Sequence, residues 1–154
     1  RLKNNGVSVT GNKNKYGSIS DKAGAKGESD FNALVPLAKN ENESQFQAKF
    51  DFTVNGYTVD VKSSVRRFSS KKSKYQRWAF SIKKQESTCD FFVLMGYTED
   101  QDRLEKVFLI PGDICRYMQS ISISVSGSSK WYDYEILPTD LNDFFDEMPT
   151  KHQP

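Results

Sequence analysis

The chain has 154 residues, of which 36% are hydrophobic, 27% charged and 13% aromatic, and its formal net charge is +2. This length fits one domain, or one domain with an arm, and the aromatic content excludes a chain that is disordered throughout. No apolar run approaches the roughly 20 residues of a membrane span, so we expect no membrane partner.

Two residue counts narrow the possible chemistry. The single histidine is His152, which argues against His-dependent nucleophilic triads, HNH-type nucleases and His-rich zinc sites. The two cysteines, Cys89 and Cys115, could form one disulfide or remain buried reduced thiols, but without a nearby histidine they cannot close a zinc site. Any catalysis must therefore come from carboxylates, lysines or hydroxyls.

The N-terminal part divides into two predicted segments. Residues 1–27 contain five of the nine glycines and few apolar side chains, so we interpret them as a basic, Gly-rich arm or linker, with the domain spanning 28–154. Residues 28–39 carry four apolar side chains between Phe31 and Leu37 and predict a short helix, although Pro36 makes its end uncertain.

Six runs rich in aromatic and β-branched residues predict strands. They are 47–54, 57–63, 78–82, 91–97, 106–110 and 121–125. Residues 140–148 have apolar side chains at helical spacing and predict a C-terminal helix. The fold class that follows is α/β (α+β), a mixed β-sheet with few helices.

The pair Asn55-Gly56 separates two alternating runs, which is the strongest short-range signal for a two-residue hairpin turn. The implied register sets Asp51 opposite Asp60, and Lys62 follows on the same face. The other face is apolar and is expected to pack on the core; it holds Phe50, Phe52, Val54, Tyr57, Val59 and Val61.

Two carboxylates placed opposite each other, with Cβ atoms about 4.5–5.5 Å apart, repel each other unless a cation lies between them. Mg²⁺ suits such a pair, because it typically takes one or two carboxylates, several waters and phosphate oxygens. The Lys62 ammonium could orient a water or neutralise charge that develops on a phosphate. An exposed strand face with incidental charges is the alternative interpretation.

Residues 61–85 contain nine basic residues and no acid, interleaved with aromatic residues. This composition predicts a surface for a polyanion, although a solvated loop can have the same composition. The expected nucleic-acid contacts are Ser63, Ser64, Arg66, Arg67, Lys71, Lys72, Lys74 and Arg77. Binding through these residues would weaken steeply with added salt.

The segments Phe50-Asp51-Phe52 and Val59-Asp60-Val61-Lys62 resemble the signature of the PD-(D/E)XK nuclease superfamily. In that signature an Asp on one strand is followed, on the next strand, by Asp or Glu, any residue, and Lys. The resemblance covers roughly residues 28–112, although the proline nearest upstream of Asp51 is Pro36. It implies a restriction-endonuclease-like mixed sheet flanked by helices.

The resemblance also implies an activity. A homing or restriction endonuclease would use Mg²⁺, with Mn²⁺ as a substitute, to hydrolyse double-stranded DNA at defined sites. Asp51, Asp60 and the main-chain carbonyl of Val61 would hold the metal, and Lys62 would be the catalytic lysine. Glu28 could match a helical glutamate of many members, or be a solvated acid at a helix start.

One site per domain implies a homodimer or a larger symmetric assembly for cutting both strands, in an intracellular location. Two other functions stay open from the residues. One is a non-catalytic nucleic-acid-binding module, in which the acid pair is structural. The other is a Holliday-junction resolvase.

Overall fold

A six-stranded mixed sheet lies at the centre of the computed structural model, which describes residues 19–41, 50–82 and 89–152. The strands in chain order are β1 (Lys39–Asn40), β2 (Phe52–Val54), β3 (Tyr57–Val65), β4 (Arg77–Ser81), β5 (Phe91–Tyr97), β6 (Leu104–Pro111), β7 (Ser120–Ser124) and β8 (Glu135–Ile136). The sheet has the order β1-β2-β3-β5-β6-β8, and β4 pairs with β7 in a separate two-stranded ribbon.

Strand β3 is parallel to β5, whereas the other neighbouring strands of the sheet are antiparallel. The α-helices of the described residues are α1 (Ile19–Leu34) and α2 (Leu141–Glu147). The expected α+β class, with a mixed sheet and few helices, is confirmed. No helix in the described ranges is long and apolar enough to cross a membrane.

The predicted turn at Asn55-Gly56 is confirmed, together with its register. Both residues have positive φ, 52° and 86°, as a type I′ turn requires. The turn pairs Phe52 with Val59 and Val54 with Tyr57. This register fixes which side chains of β3 share a face, and therefore where Asp60 and Lys62 lie.

The other predicted strands are confirmed with shifts of at most two residues at either end, and strand 121–125 is observed as Ser120–Ser124. Residues 47–49 of the first predicted strand lie outside the described ranges, and the described strand is Phe52–Val54. The C-terminal helix is confirmed as Leu141–Glu147, after a single 3-10 turn at Pro138–Asp140.

Each face of the sheet has its own hydrophobic core. The first core lies under α1 and α2 and includes Phe31, Val59, Val61, Val93 and Phe145. The second core lies under the β4–β7 ribbon and includes Trp78, Phe80, Leu94, Phe108 and Ile123. The prediction that Phe50 shares the face of Phe52 was wrong, since Phe50 packs against the second core.

Helix α1 begins at Ile19, nine residues before the predicted start at residue 28, so residues 19–27 of the predicted arm or linker are helical. Gly27 shows why this glycine-containing segment is helical. This residue is buried against β3, and a Cβ atom there would overlap the Ser63 hydroxyl. A glycine that suggests a linker in the sequence therefore serves a close approach of helix and strand.

The two helical glycines should respond oppositely to substitution. A side chain at Gly24 would meet nothing within 4 Å, so Gly24→Ala should raise the free energy of unfolding by about 0.5–1 kcal/mol through helix propensity. Gly27→Val should lower it by about 1–2 kcal/mol, because the added atoms collide with Ser63. Urea unfolding of both variants tests this, and equal shifts would contradict the packing of α1 on β3.

The chain segment after α2 fastens the hairpin turn. The Asn55 side-chain amide donates to the carbonyls of Phe145 and Met148, at 3.0 and 2.9 Å. The Lys151 main-chain N–H donates to the Asn55 carbonyl, at 3.0 Å. Lys151 Nζ lies 2.5 Å from Asp90 Oδ1, at the start of β5. The turn that orients the candidate site is therefore held from outside the hairpin.

Removal of the Lys151 ammonium should have a pH-dependent effect. Burial alone would raise the pKa of Asp90, but hydrogen bonds from Lys151 and Thr58 lower it below its ordinary value. The stabilisation of the folded protein by ionised Asp90 is therefore fully present above the pKa of an Asp in the unfolded chain. It is lost as the pH falls through the lower pKa that Asp90 has in the folded protein. Lys151→Met should lower the free energy of unfolding by about 0.5–1 kcal/mol at neutral pH.

Urea titrations of the parent and Lys151→Met from neutral pH to below about pH 4 measure this difference. The difference should shrink as Asp90 becomes protonated in both proteins. Lys106→Met, which breaks the exposed pair with Glu135, serves as a control for loss of one surface charge. A difference that stays constant down to acid pH would contradict the assignment to Asp90.

Candidate metal and nucleic-acid site

Asp51 lies one residue before β2 and reaches across to β3. Its N–H donates to the Val59 carbonyl at 3.1 Å, and its Oδ2 accepts from the Val61 N–H at 2.9 Å. The carboxylate thus takes the place of a main-chain acceptor where the β2–β3 ladder ends. The sequence predicts a direct cross-strand pair with Asp60; the structure instead anchors Asp51 at Val61, beside Asp60 in β3.

Asp60 and Lys62 share one face of β3, as predicted. Asp60 Oδ2 lies 3.1 Å from Lys62 Nζ, and both side chains are shielded, with 3% and 17% of their surfaces exposed. Because shielding from water lowers the local dielectric, the attraction between these two charges is stronger than in an exposed ion pair. Asp51 thus contacts Val61, the residue between Asp60 and Lys62 in β3.

The Val61 main chain points toward this cluster. The Val59 carbonyl accepts from Asp51, and main-chain groups two residues apart in a strand point the same way. The Val61 N–H, which donates to Asp51, follows this pattern. The Val61 carbonyl is thus directed to the edge at which Asp51 lies, where the resemblance places a metal ligand.

The neighbouring cysteines are both free and buried, so the alternative of reduced thiols is the observed one. Burial and the negative charge of Asp60 raise the pKa of Cys89 well above its ordinary value, and burial raises the pKa of Cys115 to about 11. Both thiols therefore favour the protonated form at neutral pH.

Glu41 is a third acid at this site that sequence reasoning missed. Its N–H donates to the Asp51 carbonyl at 2.9 Å, and its Oε2 accepts from Thr53 Oγ1 at 2.7 Å. Thr53 pairs with Thr58, which shares the face of Asp60. Glu41 is buried, with 7% of its surface exposed. The sequence offers no signal for it, because strand β1 has only two residues and precedes a polar run.

Glu28 lies on α1 next to Gly27, the residue at which the helix crosses β3. Glu28 is half-buried. Two residues further along the helix, Asp30 accepts a 2.6 Å hydrogen bond from Tyr97 Oη of β5. The helix is thus fixed to both β3 and β5 around Glu28. A metal-site role for Glu28 stays a prediction.

The two serines after Lys62 face opposite sides of the sheet. The Ser63 hydroxyl is buried against Gly27 of α1. Ser64 Oγ, on the face of Asp60 and Lys62, accepts the Ala79 N–H at 2.9 Å and so ties the ribbon to β3. A nucleic-acid contact by the Ser63 hydroxyl would therefore need this side chain to move. Ser63 and Ser64 both border a surface cavity with Arg67 and Arg77.

The basic loop, defined as residues 66–76, leads directly from β3 to β4. Main-chain hydrogen bonds between Arg67 and Arg77, at 3.0 and 2.7 Å, close its base. Arg77 Nε donates to Ser122 Oγ of β7 at 2.7 Å. Arg66 forms an ion pair with Glu105 at 3.1 Å, so its charge is partly neutralised within the fold, unlike the predicted surface contact.

Four of the eight predicted DNA contacts are exposed on this loop. They are Arg67, Lys71, Lys72 and Lys74, with Arg77 half-buried at its base. The tip is braced by serine hydrogen bonds, including Ser69 Oγ to Ser73 Oγ at 2.8 Å. The structure therefore places a fixed, positively charged loop at the end of the strand that carries Asp60 and Lys62.

Among the described residues, no group of three or more His, Cys, Asp or Glu side chains is arranged to hold a metal ion. A complete protein cage of the kind seen in structural metal sites is thus not formed there. Two carboxylates and a carbonyl, completed by waters and phosphate oxygens, are instead the incomplete set of hard ligands that Mg²⁺ commonly takes.

No family model matches the chain, and no curated protein matches it in a sequence search.

Proposed function

We propose that this chain is a metal-dependent endonuclease that hydrolyses phosphodiester bonds in double-stranded DNA. The observation that carries the proposal is the hydrogen bond of Asp51 to Val61, which separates the paired Asp60 and Lys62 on the strand that leads into the basic loop. Carboxylates alone would repel a phosphate backbone. Next to a lysine and a basic surface, the carboxylates can bind a metal cation while the basic groups bind the phosphate.

Mg²⁺, or Mn²⁺ in its place, would be held by the carboxylates of Asp51 and Asp60 and the Val61 carbonyl. These hard oxygen donors fit the ion, and the Asp60 carboxylate already holds one cation, the Lys62 ammonium, at 3.1 Å. When bound, the metal supplies Lewis-acid stabilisation of the phosphate and lowers the pKa of a coordinated water.

The chain's own residues would supply the rest of the chemistry. The Lys62 ammonium neutralises charge that develops on the phosphate oxygens in the transition state. Asp51, fastened to the Val61 N–H, keeps its carboxylate fixed beside β3. The attacking water forms the new P–O bond, the bond to the 3′ oxygen breaks, and that oxygen takes up a proton. The products are a 5′-phosphate and a 3′-hydroxyl, as the resemblance implies.

The restriction-endonuclease-like fold and a homing or restriction role belong to the same proposal. Parallel pairing of β3 with β5, next to the Asn55-Gly56 hairpin, gives the mixed sheet that the resemblance requires. Two cuts in a duplex would need two sites, which a homodimer or larger symmetric assembly provides.

The direct test is cleavage of supercoiled plasmid with and without Mg²⁺ or Mn²⁺. We expect metal-dependent nicked and linear products whose ends are ligatable, since they carry 5′-phosphates. If plasmid and four-way junctions are bound but stay intact with either metal, the chain is a binding module. Faster cutting of four-way junctions than of linear duplex would assign a junction resolvase instead.

A further inference from the structure

The basic loop carries two exposed aromatic side chains in addition to its charges. Phe68 is 58% exposed and Tyr75 is 46% exposed, whereas Trp78, only three residues beyond Tyr75, is buried in the second core. Binding of a polyanion requires positive charge but no exposed aromatic rings. The two rings therefore call for a ligand that has both phosphates and flat apolar surfaces.

Phe68 and Tyr75 line the same cavity. This cavity has a volume of about 310 Å³, and Arg66, Lys74, Gln76 and Glu99 complete most of its wall. Lys74 Nζ lies 5.5 Å from the centroid of the Tyr75 ring. Glu99 accepts a 2.9 Å hydrogen bond from Gln76 Nε2. A carboxylate in this wall disfavours a phosphate but can accept from the amino group of a base.

The Phe68 ring also borders two further cavities. One, of about 340 Å³, is shared with Ser64, Arg67, Arg77 and Ser122. The other, of about 480 Å³, is shared with Ser70, Lys71 and Ser73. Phe68 thus lines three neighbouring cavities. The one shared with Tyr75 suits a base, and the other two carry arginine, lysine and hydroxyl groups that suit phosphates.

We propose that the basic loop binds unpaired nucleotides of DNA, with bases stacked on Phe68 and Tyr75 and phosphates on Arg67, Lys71 and Lys74. Stacking needs a free face of the base, which a base inside a duplex does not offer. The inference rests on the proposed function for the identity of the polymer, and it adds that the substrate has unpaired nucleotides beside the cleavage site.

The test measures binding of a short labelled oligothymidylate by fluorescence anisotropy, in EDTA so that no cleavage occurs. Phe68→Ala and Tyr75→Ala should each weaken binding by about 5- to 100-fold, and Phe68→Trp should retain it. Tyr117→Ala, which removes a tyrosine that is 93% exposed outside the loop, should leave binding unchanged. Circular dichroism confirms that each variant is folded.

Salt titration separates stacking from charge. Phe68→Ala should leave the slope of log K against log salt unchanged, whereas Lys71→Ala should reduce it by about 0.7. An abasic oligomer, which keeps the phosphates but removes stacking on both rings, should bind the parent more weakly than oligothymidylate binds Phe68→Ala. Affinities of Phe68→Ala and Tyr75→Ala equal to that of the parent would overturn the proposal, as would tighter binding of oligouridylate than of oligothymidylate.

These results are separable from the nuclease test. Oligothymidylate binding that depends on Phe68, without plasmid or junction cleavage, would uphold the loop as a nucleotide site and reject the nuclease. Metal-dependent cleavage of plain duplex without ring-dependent binding would uphold the nuclease and overturn the nucleotide site.

Discussion

Asp60→Asn should abolish metal-dependent DNA cleavage while DNA remains bound. The substitution keeps the shape of a side chain that is almost fully buried but removes the charge that would hold the metal and that pairs with Lys62. We expect the cleavage rate to fall by at least about 100-fold, the usual scale for loss of one group that stabilises a transition state. Single-turnover cleavage of a labelled plasmid measures the rate.

Binding of the same DNA in Ca²⁺ or EDTA provides the necessary control. Asp60→Asn should bind as well as the parent or better, because it removes a negative charge that faces the phosphates. Glu135→Gln removes an exposed carboxylate paired with Lys106 on β6 and should cleave at the parent rate. If Asp60→Asn cleaves nearly as fast as an active parent, the metal site lies elsewhere.

Substitution of Lys62 should lower the cleavage rate without weakening DNA binding in the same assay. The Lys62 side chain is 17% exposed and its ammonium pairs with Asp60, so it contributes little to the outer charge of the loop. Lys62→Met should therefore lose cleavage with only a small change in the salt dependence of binding. Lys72→Ala should do the reverse, with weaker binding and a shallower salt slope but the same rate once DNA is saturating.

The hairpin and its consequences could be predicted because the signals are local. Asn55-Gly56 selects one turn type, the turn sets the register, and the alternation then assigns Asp60 and Lys62 to one face. The structure has this register. The contact of Asp51 with the Val61 N–H was not predicted, because it depends on where β2 ends.

Features that depend on contacts distant in sequence could not be predicted. The helix needs a glycine at position 27 because it packs closely on Ser63 of β3. The sequence around Gly27 shows only the glycines, which are also typical of a linker. The alternation in 121–125 predicts a strand but not its partner, so the ribbon of β4 with β7 was not anticipated. Glu41 joins the site through a two-residue strand, which is too short to leave a pattern.

The ribbon itself should depend on the lack of a side chain at Gly96. This residue lies in β5, between β3 and β6, and a Cβ there would be 2.7–2.9 Å from three atoms of the Trp78 indole. The ring is fixed, since Nε1 donates to the Tyr97 carbonyl at 3.0 Å and only 2% of the residue is exposed. Neither the paired strand nor the ring has room to move.

Gly96→Ala should therefore lower the free energy of unfolding by about 2–3 kcal/mol, as over-packing of a dense core does. Urea unfolding measures the loss, and Gly24→Ala, with open space around its added methyl, is the matched control. Trp78→Phe alone should also destabilise the protein, because it loses the bond to Tyr97. In the Trp78→Phe background, however, Gly96→Ala should cost less, since the smaller ring leaves space for the methyl group. Equal costs in both backgrounds would mean that the ring does not pack on residue 96, and the ribbon, which Ser64 ties to β3, would then be held in some other way.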